Sequence, residues 1–132
     1  MRGQMITKED SDTARALVVD DEPSMRSVLR HLLELEGWSV EEAEDGQTAL
    51  ELSQARPPDL ILTDLEMPGM DGEELARRLR QEARLDGIPL VAISRRSPRP
   101  EAVELFDGIL NKPVRRHDLE PWLTDAGGQA DT

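Results

Sequence analysis

The chain has 132 residues, about one ordinary domain, with 37% hydrophobic and 33% charged residues. It has no cysteine, which excludes disulfides and thiolate metal sites, and its net charge of −12 sets it against the phosphate rows of a nucleic acid duplex. Aromatics are only 2%, so the core must come from Leu, Val, Ile and Ala; with no apolar leader and no run long enough to span a membrane, a cytoplasmic location is the default.

Residues 1–14 are polar and aperiodic and read as a disordered tail. Residues 16–20, ALVVD, form a short, β-branched apolar run, the pattern of a buried strand. Met25, Val28, Leu29, Leu32 and Leu33 then recur at helical spacing; Pro23 suits the first turn and Gly37 the stop. Ser39–Ala43 is a weaker strand, nearer an edge, and Gly46–Ala55 is helical until Pro57 and Pro58 end it. Leu60–Asp64 is a third strand that carries a carboxylate out to its tip, where Asp64 is expected to face solvent. A loop with Pro68 and Gly69 follows, then a helix over 72–83 with Leu75 and Leu79 inward. Leu90–Ser94 is a fourth strand. Pro98 and Pro100 push the residue before each away from helix, so the next helix is short, near 101–106. Residues 109–111 make a short fifth strand. The last helix has Leu119, Trp122 and Leu123 on its inner face; Pro121 fits best if that helix starts near Asp118. Residues 125–132 read as a flexible tail, which leaves 15–124 as the domain.

Strands alternating with helices predict a parallel sheet covered on both faces. Right-handed crossovers bring the C-terminal strand ends to one edge, where open α/β sheets hold their sites. Asp20 and Asp21 arrive there from the first strand, Asp64 from the third, Ser94 from the fourth and Lys112 from the fifth. Singly, each has a bland reading: a loop acid, a cap, a surface lysine. Arriving together at four strand ends, they read as a site. Three close carboxylates raise one another's pKa unless a cation joins them. Oxygen-only donors favour a hard ion such as Mg²⁺. An aspartate beside that ion is a competent nucleophile toward phosphorus, and Lys112 and Ser94 can hold phosphoryl oxygens.

The stretches LVVDDEPSMRSVLRHLLELEG, DLILTDLEMPGMDG, VAIS and NKP closely resemble the receiver domain of two-component response regulators. The resemblance implies a flavodoxin-like (βα)₅ fold with strand order 2-1-3-4-5 and, here, a shortened fourth helix. It implies that Asp64 accepts a phosphoryl group from a phosphohistidine on a sensor histidine kinase or phosphotransfer protein. Asp21 would bind Mg²⁺ (or Mn²⁺) directly, Asp20 mainly through water, and the Glu66 backbone carbonyl would complete the protein's metal ligands with Asp64. Ser94 and Lys112 would meet the phosphoryl group. The output would be a contact with an unknown protein, without direct binding of nucleic acid or membrane, from a monomer or weak dimer. The domain would stand alone or belong to something larger, and would be a phosphoacceptor, not an enzyme with its own substrate.

Three departures accompany the resemblance. Ile109 stands where receivers usually carry an aromatic that swings on activation. The segment between Ser94 and Lys112 is short and carries two prolines. Arg95, where a small residue is usual, is followed by Arg96 and Arg99. Those arginines could meet a new dianion, which would place the readout in this loop and not in the fifth strand. Two alternatives follow from the residues. One is a receiver-like module that binds partners without phosphorylation, for which Ile109 and the short segment speak. The other is a haloacid-dehalogenase-like phosphatase, with Asp64 as nucleophile and Glu66 as acid. Against it, a full βαβα precedes Asp64, and no acidic pair follows Lys112.

Overall fold

The computed structural model describes residues 13–127, with side chains through Leu123. Five strands, β1 (Arg15–Val19), β2 (Ser39–Ala43), β3 (Leu60–Asp64), β4 (Leu90–Ser94) and β5 (Gly108–Asn111), form one parallel sheet in the order β2-β1-β3-β4-β5. The helices are α1 (Pro23–Leu35), α2 (Gly46–Ala55), α3 (Gly72–Arg80), the single turn α4 (Ala83–Asp86) and α5 (Arg116–Gly127); a 3₁₀ helix spans Pro100–Leu105. This is the doubly wound, flavodoxin-like fold expected from the alternation. The central strands β3 and β4 are buried along their whole length, as parallel strands covered on both faces must be.

The period-2 alternation divides the core in two. Leu17, Val19, Ile61, Leu90 and Ala92 face α2 and α3 through Leu50, Leu75 and Leu79. Ala16, Val18, Leu60, Leu62, Val91 and Ile93 face α1 and α5 through Leu29, Leu33, Leu119 and Leu123. The scarce aromatics contribute too: Trp38 and Phe106 are buried. Val28, expected on the inner stripe of α1, is 48% exposed, because Leu29 and Leu33 define a narrower face.

Several boundaries differ from the sequence expectations. The helix expected over 72–83 ends at Arg80, and α4 follows as a separate turn that buries Leu85. The Arg80 guanidinium takes the carbonyls of Asp86, Ile88 and Leu105, which ties this corner together without helix continuity. The shortened fourth helix is a 3₁₀ helix, one residue earlier than expected. The last helix begins at Arg116 and not near Asp118, so Pro121 lies inside it. Its start is closed by the Arg115 N–H, which donates to Asp118 Oδ2 at 2.9 Å. It runs to Gly127, past the expected end of the domain at 124. At the other end Ala14, assigned to the tail, packs on the core, and its carbonyl accepts from Ser39 N–H at 2.9 Å. The remaining tail residues, 1–12 and 128–132, lie outside the described residues.

Candidate functional site

Register places the site. Val19 pairs with Thr63, so Asp20 and Asp64, each one residue on, emerge side by side. Asp64 pairs with Ile93, and Ser94 pairs with Asn111, which sets Ser94 and Lys112 at the next two strand ends. The Lys112 N–H donates to the Ser94 carbonyl at 3.1 Å, extending the ladder to the lysine itself. The peptide bond after it, Lys112-Pro113, is cis.

The residues expected to meet do meet. Carboxylate oxygens of Asp20, Asp21 and Asp64 lie within 4.8 Å of one another. Lys112 Nζ is 3.1 Å from Asp20 Oδ2 and 3.6 Å from Asp64 Oδ2. Asp20 is held further by Glu22 N–H, which donates to Oδ1 at 2.9 Å. Asp21 is exposed. Asp64 differs from expectation: it is 7% exposed, not a solvent-facing tip. Burial, then the charge of Asp20, push its pKa above the usual carboxyl value, and Lys112 and the amides of Glu66 and Leu65 offset this only in part. A cavity of about 170 Å³ opens over the group, lined by Asp21, Glu22, Asp64, Glu66, Ser94, Arg95 and Lys112. It is smaller than the roughly 300–1,000 Å³ of ordinary small-molecule pockets.

Two residues absent from the sequence reading support the site. Arg26, in the first turns of α1, donates from Nη1 to the Asp20 carbonyl at 2.7 Å and from Nε to Glu42 at 3.0 Å, tying the end of β1 to β2. The other is Glu73, fully buried in the first turn of α3. Its signal in the sequence was faint, because an acid at a helix start is ordinarily solvated and serves the helix dipole. Of the arginines after Ser94, Arg96 donates to Glu66 Oε2 at 2.8 Å and Arg99 to Glu73 Oε1 at 2.7 Å; Arg95 lines the cavity. Ile109 sits on β5 with 37% of its surface exposed.

The sequence pattern of the response regulator receiver domain matches residues 16–123. The chain belongs to that family. Receiver domains are phosphoacceptor signalling modules of two-component systems. The sensor histidine kinase TmoS of Ectopseudomonas mendocina is 36% identical over 121 residues, covering 89% of this chain and 12% of that protein. The response regulator MprA of Mycolicibacterium vanbaalenii is 40% identical over 109 residues, covering 80% of this chain and 46% of that protein. This receiver therefore spans less than half the length of either relative. Among solved structures, a CheY-like receiver domain from Methylobacillus flagellatus superposes with a TM-score of 0.80 at 31% identity, covering 86% of this chain and 98% of that one. The chemotaxis protein CheY4 of Vibrio cholerae gives 0.77 at 30% identity, with the same coverage. Among the described residues, no helix is long and apolar enough to cross a membrane.

Proposed function

We propose that this receiver accepts a phosphoryl group on Asp64 from a phosphohistidine of a sensor kinase or phosphotransfer protein, and that the modified face changes its protein contacts. The observation that carries this reading is the convergence of three carboxylates and one ammonium from the ends of β1, β3 and β5, with Asp64 on the central strand of the sheet. An Asp64 oxygen attacks phosphorus as the P–N bond breaks and the imidazole leaves. Lys112, almost fully buried, meets the developing charge on the phosphoryl oxygens, and the Ser94 hydroxyl donates to one of them. The donor set suits a divalent cation: all oxygen, triply negative, only partly offset by Lys112. Asp20, Asp21, Asp64 and the Glu66 carbonyl would hold Mg²⁺, with Mn²⁺ as a substitute. When bound, that ion screens carboxylate from phosphoryl charge and polarises the phosphoryl group. The small cavity at the acids supports a phosphoacceptor over a hydrolase with an organic substrate. A cytoplasmic location and a protein target are the settings in which this chemistry makes a switch.

Incubation with acetyl phosphate and Mg²⁺, followed by intact-mass analysis, tests the reading. One added phosphoryl group, dependent on Mg²⁺ and absent from Asp64→Asn, is expected. Labelling that persists in Asp64→Ala, or release of phosphate from generic phosphatase substrates at comparable rates, would refute it.

A further inference from the structure

Among the described residues, Glu73 is the one fully buried ionisable side chain that the phosphoacceptor chemistry leaves unused. Its neighbour Glu74 behaves as first-turn acids usually do: 40% of its side chain is exposed, and it pairs with Arg77 and Arg78 on its own helix. Glu73 is turned inward, onto the loop that follows Ser94. Its Oε2 accepts from the Arg99 backbone N–H at 2.9 Å, and its Oε1 accepts from Arg99 Nε at 2.7 Å and lies 2.5 Å from Nη2. Arg96 Nη1 lies 3.7 Å from Oε2. Burial opposes the charge, yet the Arg99 hydrogen bonds and the positive charges of Arg99 and Arg96 outweigh it, so the carboxyl stays ionised below its usual range.

The other end of the same loop is tied to the site. Arg96 donates from Nε to Glu66 Oε2 at 2.8 Å and from its backbone N–H to Ser94 Oγ at 3.4 Å. Pro98, between the two arginines, is buried. Arg95, at the start of the loop, contributes to the wall of the cavity over Asp64. A loop of residues 95–99 with no such anchor would sample many arrangements, and one of them would have to be selected whenever a phosphoryl group arrived.

We propose that Glu73 is a positioning residue of the phosphoacceptor site: through Arg99 and Arg96 it fixes the 95–99 loop as a preformed wall on the Ser94 side of the cavity. The proposal rests on the phosphoacceptor reading of Asp64. It separates the two halves of the site. The acidic half takes its carboxylates from the ends of β1 and β3, and the loop touches it through the exposed Glu66 side chain, not through the carbonyl that would face the ion, so metal binding should depend little on the clamp. The phosphoryl half, at Ser94 and Arg95, should need it. It also makes the loop a fixed element, ordered before and after modification.

The test compares the parent chain with Glu73→Gln, Arg99→Ala and the double variant. Amide hydrogen exchange at residues 95–101 is read without any donor. Mg²⁺ affinity is read by NMR titration with the metal alone, beryllofluoride affinity in saturating Mg²⁺, and global stability in urea. Glu73→Gln should exchange at least tenfold faster at Arg96, Ser97 and Arg99, and Arg99→Ala at Arg96 and Ser97, since the residue-99 amide keeps its Glu73 acceptor in that variant. Each should bind beryllofluoride at least fivefold more weakly, with Mg²⁺ affinity within twofold of the parent. The double variant should be no worse than either single one, since both break the same clamp. Arg99 is largely exposed, so Arg99→Ala keeps the test alive if the buried substitution impairs folding. Beryllofluoride affinity unchanged in folded variants would overturn the positioning role, as would equal losses of Mg²⁺ and beryllofluoride binding that track global stability. A parent chain that binds no beryllofluoride would overturn the phosphoacceptor reading first, and the clamp's role with it.

Discussion

Asp64 and Glu73 are both buried carboxyls, and their surroundings push them in opposite directions. At Asp64, burial and the Asp20 charge outweigh Lys112 and two amides, so the ionised form is disfavoured and the native state carries a destabilising charge at neutral pH. Asp64→Asn removes that charge and keeps the shape. It should abolish labelling while leaving the metal-free protein as stable as the parent or more so, by thermal unfolding at pH 7. A clear loss of stability would mean that Asp64 is held by contacts stronger than those described. At Glu73 the arginines win over burial, so its native pKa is below the ordinary 4.5. Ionised Glu73 therefore stabilises the fold fully above that ordinary value, and the contribution fades as pH falls through the lower native value. In urea titrations, the stability gap between the parent and Glu73→Gln should be widest at neutral pH and narrow as pH falls below 4.5. A gap that stays constant from neutral to acid pH would assign the effect to packing instead.

The loop from β3 to α3 shows how an element holds a residue. Gly72 donates its N–H to the Leu65 carbonyl at 3.0 Å, closing the turn right behind Asp64. A Cβ at Gly72 would meet the Asp64 carbonyl oxygen at 2.3 Å and Leu65 Cα at 2.8 Å, backbone atoms that cannot step aside singly. Gly72→Ala should cost about 1–3 kcal/mol in urea denaturation, the range for overpacking. It should also slow labelling severalfold, because the displaced atoms belong to Asp64 itself. Asp45→Ala is the control. Asp45 caps α2 by accepting from Thr48 N–H at 2.7 Å and is not among the residues that line the cavity over Asp64. Its loss should cost about 1 kcal/mol and leave labelling unchanged. Strands and their tips were legible in the sequence because buried parallel strands are short, continuous apolar runs, and Leu60–Asp64 or Leu90–Ser94 can hardly be anything else. Helix limits were less legible because side chains distant in sequence set them. The break after Arg80 depends on carbonyls as far away as Leu105, and the start at Arg116 depends on Asp118 reaching back. Glu73 was missed for the same reason: its meaning comes from Arg99, and only the folded chain brings the two together.

At the scale of the whole molecule, folding collects charge. The unfolded chain keeps Asp64 far from the neighbouring pair Asp20 and Asp21; the sheet brings the oxygens of all three within 4.8 Å on a protein of net charge −12. One buried lysine cannot neutralise three carboxylates, and burial first, with the Asp20 charge second, keeps the Asp64 pKa raised in spite of it. A divalent cation that binds this cluster binds the native state and not the unfolded one, so it must raise stability by mass action. With most of its ligands water, the ion should bind weakly, and the gain should grow steadily with concentration. At a hundredfold excess over Kd it reaches about 2.7 kcal/mol. Simple screening would also favour a crowded acidic rim, so NaCl matched to the same ionic strength is the needed comparison. Thermal unfolding in Mg²⁺ should exceed that in matched NaCl, and EDTA should return the parent to its metal-free midpoint. Asp21→Asn removes a ligand and a repulsion together. It should start at or above the parent's metal-free midpoint and gain little from Mg²⁺. If Mg²⁺ and matched NaCl stabilise the parent equally, or if Asp21→Asn responds to Mg²⁺ as the parent does, the acidic cluster is not a metal site.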